Sequence, residues 1–283
     1  MSTDYLTLVD ALGLGKGSVV ALVGGGGKTS TLFRLVREAA LDGRRVLATT
    51  TARMKLEELV DVRDVLLWDD RDPTGATWRR CRDEGTNAGW IEALLSGSRQ
   101  DALIPAAFLG RSIMRDKLVG LPPEYLGELL ARLTWDLVVV EADGARGRSI
   151  KGHRLGEPII PLCATHVVIV FGADGIESPV NDQSCHRPEV IQDLLGLSWG
   201  ERLSARHLAD LLCHRHGLLA KIPGDMQVLI YLNKSPIGSE RTSARGFAAE
   251  VLQRCGSRVR RIAVGDNLQG GLIETHVPPA GEP

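Results

Sequence analysis

The stretch Val20-Ala-Leu-Val-Gly24-Gly-Gly-Gly-Lys28-Thr-Ser-Thr31 decides how the rest of this 283-residue chain is read. Before it, Ser18–Val23 is a short apolar run that suits a buried strand. After it, Leu32, Leu35, Val36 and Ala39 recur at helical spacing as far as Leu41. The usual phosphate-loop pattern, Gly, four residues, Gly-Lys-Ser/Thr, asks for a glycine where Leu22 stands. Leu22 belongs to the apolar run, so the loop proper begins at Gly24. Glycines let consecutive amides turn inward around phosphate oxygens, because no Cβ blocks the approach. A helix N-terminus adds a partial positive charge of about half a unit. On this reading Gly24, Gly25, Gly26, Gly27, Lys28, Thr29 and Ser30 form a nucleotide cradle. Lys28 neutralises the terminal phosphates and the Thr29 hydroxyl ligates Mg²⁺. The plain alternative is a glycine-rich turn with a solvated lysine. Four adjacent glycines each cost roughly 0.5–1 kcal/mol relative to alanine, more than a turn alone requires.

Outward from the loop, Arg45–Thr49 reads as a second buried strand, with Gly43 capping the helix before it. Strand, loop, helix and strand in that order open a parallel sheet with crossover helices. Trp135–Glu141 is the strongest strand pattern, and Thr165–Asp174, Met226–Lys234 and Ser257–Gly265 carry others, the last read as the final strand. Helices are expected within 122–133, 187–197, 204–214 and 239–255. Between Leu56 and Leu130 the pattern weakens: 62–68 and 101–110 read as strands and 89–97 as a helix. The sum is one three-layer αβα domain over 1–275, P-loop NTPase-like, with a mainly parallel sheet. The proline- and glycine-rich tail, 276–283, is expected to be disordered.

Apolar and charged fractions of 43% and 24% are ordinary for a globular domain. A formal net charge of −1 provides no global field for nucleic acid or an anionic membrane, so neither is an expected partner. The five cysteines are widely spaced, and their odd number argues against a closed disulfide framework. No basic start precedes a long apolar run, and no stretch is apolar for long enough to span a bilayer, which leads to an expected cytoplasmic location.

A Mg²⁺–phosphate site calls for a carboxylate at the end of an adjacent apolar strand. "LVVVEADGARG" supplies Glu141, with Asp143 two positions on and on the same side of an extended chain. Thr29, Glu141 and Asp143 are therefore the candidate metal set, one acid holding Mg²⁺ while the other orients a nucleophile. The basic stretch after it, with Arg146, Arg148, Lys151, His153 and Arg154, is either a solvated loop or a phosphate clamp. As a clamp it adds Arg146 and Lys151 to Lys28, Glu141 and Asp143 as candidate catalytic groups. Asn233-Lys234 ends a strand where guanine-specific NTPases carry Asn-Lys-x-Asp. Pro236 replaces that aspartate, so ATP is the default nucleotide and the pair is a candidate flank for the base. Cys185-His186 and Cys213-His214-x-His216 fit no zinc spacing. The scattered tryptophans read as anchors, and Arg258, Arg260 and Arg261 as the solvated face of an edge strand.

Two resemblances follow from these residues. Gly24-x-x-Gly27-Lys28-Thr29-Ser30 resembles the shortened phosphate loop of the Mur ligase family, Gly-Thr-x-Gly-Lys-Thr/Ser, with Gly25 in place of the threonine. "GGGGKTS", "TTTARM", "VVVEADGARGRSIKGHRLGEPIIP" and "CHRPEV", in that order, resemble the YqeC family. Its members are named as accessory or biosynthesis proteins for selenium-dependent molybdenum hydroxylases and resemble P-loop nucleoside triphosphatases. The resemblance implies ATP (or another NTP) and Mg²⁺ as ligands, and a molybdenum hydroxylase client or a small-molecule acceptor as partner. It implies roles for Thr49, Thr50 and Thr51 at a strand end facing the site, Thr50 toward the nucleotide and Thr51 toward substrate. Glu141, Asp143, Gly144, Lys151, Glu157 and Pro158 match the central motif. His186, Arg187, Pro188 and Glu189 match the later one, and Glu157, His186, Arg187 and Glu189 are candidate substrate contacts. Ala52-Arg53 departs from the Thr-Lys-like pair of the family pattern. Three functions remain open: ATP hydrolysis or phosphoryl transfer during hydroxylase or cofactor maturation, a kinase or Mur-like ligase of a small acceptor, and a nucleotide-gated scaffold without chemistry.

Overall fold

β1 (Ser18–Gly24) is buried along its whole length, because both its faces are apolar. Val19, Ala21 and Val23 point into one hydrophobic core and Val20 and Leu22 into the other, the two-residue alternation of a strand covered on both sides. Each fully buried valine or leucine contributes about 1.5–3 kcal/mol, so Leu22 fills a place that a glycine would leave empty. The computed structural model describes residues 6–55, 65–68, 78–80, 106–132, 135–235, 241–268 and 272–278.

The other described strands are β2 (Val46–Thr50), β3 (Arg53–Lys55), β4 (Val65–Trp68), β5 (Trp78–Arg80), β6 (Ala106–Gly110), β7 (Ser112–Met114) and β8 (Lys117–Val119). They continue as β9 (Leu137–Glu141), β10 (Ile150–Lys151), β11 (His166–Gly172), β12 (Cys185–His186), β13 (Gln227–Asn233), β14 (Val259–Gly265) and β15 (Leu272–His276). The main sheet runs β15-β14-β13-β11-β1-β9-β2-β6-β4-β5. From β14 to β4 every neighbour pair is parallel, and an antiparallel strand closes each edge. β1 therefore lies mid-sheet between β9 and β11. The loops leaving these three strands meet at one end, where open parallel sheets hold their ligands. Beyond the end of β2, β3, β8 and β7 make a small antiparallel sheet.

Helices cover both faces. Lys28–Leu41 buries Leu32, Leu35 and Ala39 on one side together with the short helix Leu8–Ala11, whose Leu8 and Val9 amides donate to Glu38. Pro123–Arg132, Pro188–Leu195, Ala205–Cys213 and Arg241–Cys255 contribute to the other core through Leu126, Ile191, Leu208 and Phe247. This is the three-layer αβα, P-loop-like architecture expected from the sequence. Gly43 adopts a left-handed φ of 73° just after the first long helix, as its capping role requires.

Four expectations need correction. β14 is not the final strand: β15 pairs antiparallel along it, and Thr275 and His276 are ladder residues, not the start of a loose tail. β14 is thus not an edge. The Arg261 guanidinium donates to the Asp10 and Ala11 carbonyls at the end of the first helix, and Arg258 to Ile222, Pro223 and Met226. Both cap backbone acceptors instead of facing solvent. Cys213 and Cys255 form a disulfide between two helices, which also removes Cys213 as a thiolate ligand. The helix expected at 89–97 and the last residues of the tail lie outside the described residues. Among the described residues no helix is long and apolar enough to cross a membrane.

Candidate functional site

The glycine loop is shaped by the strands around it. Gly24, Gly26 and Gly27 hold φ values of 99°, 73° and 102°, a region that side chains disfavour. Space is equally restrictive: a Cβ on Gly26 would lie 2.0 Å from the Gly172 nitrogen, and one on Gly25 2.7 Å from the Arg148 carbonyl oxygen. Three amides are committed within the fold: Gly24 N–H donates to Asp143, Gly25 N–H to the Val170 carbonyl and Gly26 N–H to the Arg148 carbonyl. Gly27 is the N-cap of the helix Lys28–Leu41 and offers no side chain to the first turn. The opening amides, which Ser, Thr or Asp would normally engage, have no side-chain cap.

Glu141 ends β9 directly beside β1, in register with Leu22. Its Oε2 accepts from the Thr29 hydroxyl at 2.8 Å, so the hydroxyl of the loop and the acid of the neighbouring strand meet at the head of the helix. A hydroxyl and a carboxylate at the head of the helix suit Mg²⁺, which dehydrates reluctantly and takes few protein ligands. Among the described residues no group of three His, Cys, Asp or Glu gathers as a metal centre of its own.

Asp143 stands in a different environment. It is 4% exposed and lies between Lys28 and Lys151, themselves 5% and 2% exposed. Lys151 Nζ donates to its Oδ2 at 2.9 Å and His153 Nε2 lies at the same distance. Its Oδ1 makes an ion pair with Lys28 Nζ at 3.2 Å, without the alignment of a hydrogen bond. Lys28 also donates to the Gly24 carbonyl at 2.6 Å. Burial by itself would raise the Asp143 carboxyl, but the Lys28 charge, the His153 hydrogen bond and Lys151 hold it well below the usual carboxylate range. Burial lowers His153, outweighing the pull of Asp143, so its imidazole is neutral at pH 7 and presents an N–H to the carboxylate. The expected metal set is thereby divided. Thr29 and Glu141 come together, while Asp143 is engaged by two lysines, a histidine and an amide.

From Lys151 the network continues outward. Lys151 lies 3.4 Å from Glu157, and Glu157 forms a two-point pair with the Arg187 guanidinium. Burial would raise Glu157, but Arg187 and Lys151 hold it down at about 2. β10 and β12 pair in parallel, which places Lys151 opposite His186. Burial, with Arg187, Lys151 and Arg146 nearby, pushes the His186 imidazole down to about 4. Glu189 pairs with Arg154 at 2.6 Å on the surface. Arg154, Glu157, His186, Arg187 and Glu189 line an open cleft of about 730 Å³ that includes Arg53, Arg146 and Arg148 but neither Lys151 nor any residue of the glycine loop.

The threonine run is a backbone fastener. Thr50 donates to the Glu141 carbonyl and accepts from the Ala52 amide, Thr51 donates to the Ile159 carbonyl, and Thr49 to the Leu109 carbonyl. Asn233 is buried at the end of β13 and donates to the Gly26 carbonyl at 2.7 Å, while Lys234 bonds Ser149 and Asp174. Asn233 and Lys234 thus brace the loop and the segment beside it. Ser30 turns back to the Gly27 carbonyl. Two residues at this end of the sheet had no individual role in the sequence reading: His153, named only within the basic stretch, and Asn267. His153 shared the side of Lys151 two positions earlier, a legible sign. Asn267 bonds Ser30 and Thr31 and donates its amide to Asn233, and its signal was only its place just after a parallel strand.

A mid-sheet strand, a glycine loop opening a helix, and an acid on the adjacent strand define a P-loop NTPase-like α/β protein. The YqeC protein family model matches residues 20–189, a stretch that contains the loop, the threonine run, the β9 acids and the Glu157–Glu189 cleft. The chain is also 30% identical over 234 residues to "Uncharacterized protein YqeC" of Escherichia coli (strain K12), covering 82% of each. It belongs to the YqeC family. Among solved structures, the signal recognition particle 54 kDa protein of Aeropyrum pernix K1 in complex with GDP aligns with a TM-score of 0.37 and 17% identity. That alignment covers 92% of this chain and 44% of the other, so the chain spans less than half of that structure.

Proposed function

We propose that this protein binds Mg²⁺–ATP at the Gly24–Thr29 loop and transfers or hydrolyses its terminal phosphoryl group. The observation that carries the reading is the Thr29–Glu141 contact of 2.8 Å at the head of a helix with uncapped amides. Lys28, now paired with Asp143 and Gly24, is within the same cradle and exchanges those partners for phosphate oxygens. Lys28 and Lys151 share the Asp143 carboxylate, so Lys28 can turn to phosphate oxygens while Lys151 keeps that partner. Thr29 and Glu141 would hold Mg²⁺, which supplies charge neutralisation between the phosphates when bound. ATP is favoured over GTP because Pro236 stands in the place of the guanine-reading aspartate. Family membership supports a cytoplasmic role in maturing a selenium-dependent molybdenum hydroxylase or its cofactor. The cleft beside β9 favours a small-molecule acceptor over water or a protein client as receiver of the phosphoryl group.

Equilibrium titration with ATP and Mg²⁺, followed by phosphate release, tests the assignment. Lys28→Ala is expected to weaken ATP binding at least tenfold and abolish release. Full affinity and turnover in that variant would overturn it.

A further inference from the structure

We infer that the cleft beside the β9 end is a binding site for a phosphate-bearing small molecule, the second substrate of the nucleotide site. The word "second" rests on the nucleotide reading; the anion site itself does not. Five guanidiniums, from Arg53, Arg146, Arg148, Arg154 and Arg187, line the cleft against the carboxylates of Asp182, Glu157 and Glu189. Glu157 and Glu189 are already paired with Arg187 and Arg154. Arg53, Arg146 and Arg148 have no side-chain partner among the described residues. With five arginines against three acids the lining is net cationic, and a phosphate accepts two parallel N–H bonds from each fork that reaches it. A volume of about 730 Å³ suits a metabolite-sized ligand.

An ordinary solvated basic loop would not need unusual backbone, yet Arg146 and Arg187 hold left-handed φ values of 50° and 62°. Both residues line the same opening.

The cleft and the glycine loop share a wall. Arg148 lines the cleft, and its carbonyl accepts from the Gly26 amide. Through the interior, Glu157 in the cleft contacts Lys151, Lys151 contacts Asp143, and Asp143 contacts Lys28. The cleft is therefore connected to the glycine loop both through the Arg148 backbone and through this ion-pair chain.

The test is calorimetric titration of the full chain with pyrophosphate, in chelator without Mg²⁺ and with ADP saturating the loop. One equivalent of pyrophosphate is expected to bind wild type. The triple variant Arg53→Ala/Arg146→Ala/Arg148→Ala, with thermal melting checked to show an intact fold, is expected to lose at least tenfold in affinity. Glu189→Gln, which releases the exposed Arg154, is expected to bind pyrophosphate about threefold tighter. A parallel titration of Lys28→Ala without ADP reads the cleft even if the chain binds no nucleotide, and binding there is expected to persist. No pyrophosphate binding to ADP-saturated wild type and to Lys28→Ala would overturn the inference. So would undiminished binding in a folded triple variant, whatever the nucleotide result.

Discussion

Replacing Asp143 by alanine perturbs the most heavily engaged carboxylate described in the structure. The change leaves Lys28 and Lys151, both almost fully buried, without the oxygens that lie 3.2 and 2.9 Å from their ammonium groups. It also strands the Gly24 amide and the His153 N–H. Breaking a buried pair by removing one partner costs about 3–5 kcal/mol, because the other charge remains buried. Each abandoned donor adds about 1–3 kcal/mol, but these contributions overlap, since all converge on one carboxylate. Lys151 keeps Glu157 at 3.4 Å, which limits the loss. A net cost of roughly 4 kcal/mol is expected, a large fraction of a typical domain stability of about 5–15 kcal/mol. Urea unfolding followed by circular dichroism at pH 7.5 measures it, with an unchanged slope and a lower midpoint. Thermal melting should fall by roughly 8–16 °C. Adding Lys151→Met to Asp143→Ala removes one stranded ammonium and should recover part of the loss. A cost below about 1 kcal/mol for Asp143→Ala would refute the claim that this carboxylate holds the lysine pair in the fold.

Glu141→Gln should abolish the Mg²⁺ dependence of ATP affinity, read by titration with and without the cation, because the amide keeps the size of the side chain but not its charge. Gly26→Ala should cost about 2–5 kcal/mol, from a Cβ 2.0 Å from the Gly172 nitrogen together with a φ of 73°; melting of the purified variant checks it. Stability should fall on acidification in two overlapping windows. With His186 held at about 4, the unfolded chain binds the extra proton first, so that contribution is complete above about pH 6.5 and lost by pH 4. Glu157, held at about 2, contributes fully above about pH 4.5 and loses its contribution toward pH 2. Urea midpoints against pH, with an NMR titration of His186, decide this; a His186 titrating near its ordinary value would contradict it.

Much of the fold was legible because its signals are local. Apolar runs such as Val19–Val23 and Leu137–Val140 are buried on both faces and read as strands without tertiary knowledge. The loop was legible for the same reason, since glycines, lysine and hydroxyl occupy one stretch between a strand and a helix. What escaped depends on contacts between distant segments. β15 is short and follows a polar turn, and its pairing with β14 is set by the sheet edge. Glu141 and Asp143, two residues apart, could not be assigned different neighbours until Thr29, Lys28 and Lys151 were placed. The threonine run looked like a row of hydroxyls for a ligand, but those hydroxyls satisfy carbonyls at the ends of two strands and in the loop at Ile159. Nor does sequence spacing reveal that arginines near 53, 146 and 187 open into one cleft.

The clamping of Gly25 and Gly26 by the Val170 and Arg148 carbonyls has a thermodynamic consequence. A free run of four glycines would have to be ordered by its ligand, and the entropy of that ordering would come out of the affinity. Here β11 and the segment at Arg148 impose the curve in advance, so the loop is preorganised and the nucleotide meets a shape already formed. Association should then show the modest heat-capacity change of burying the ligand alone, without the larger signature of coupled folding.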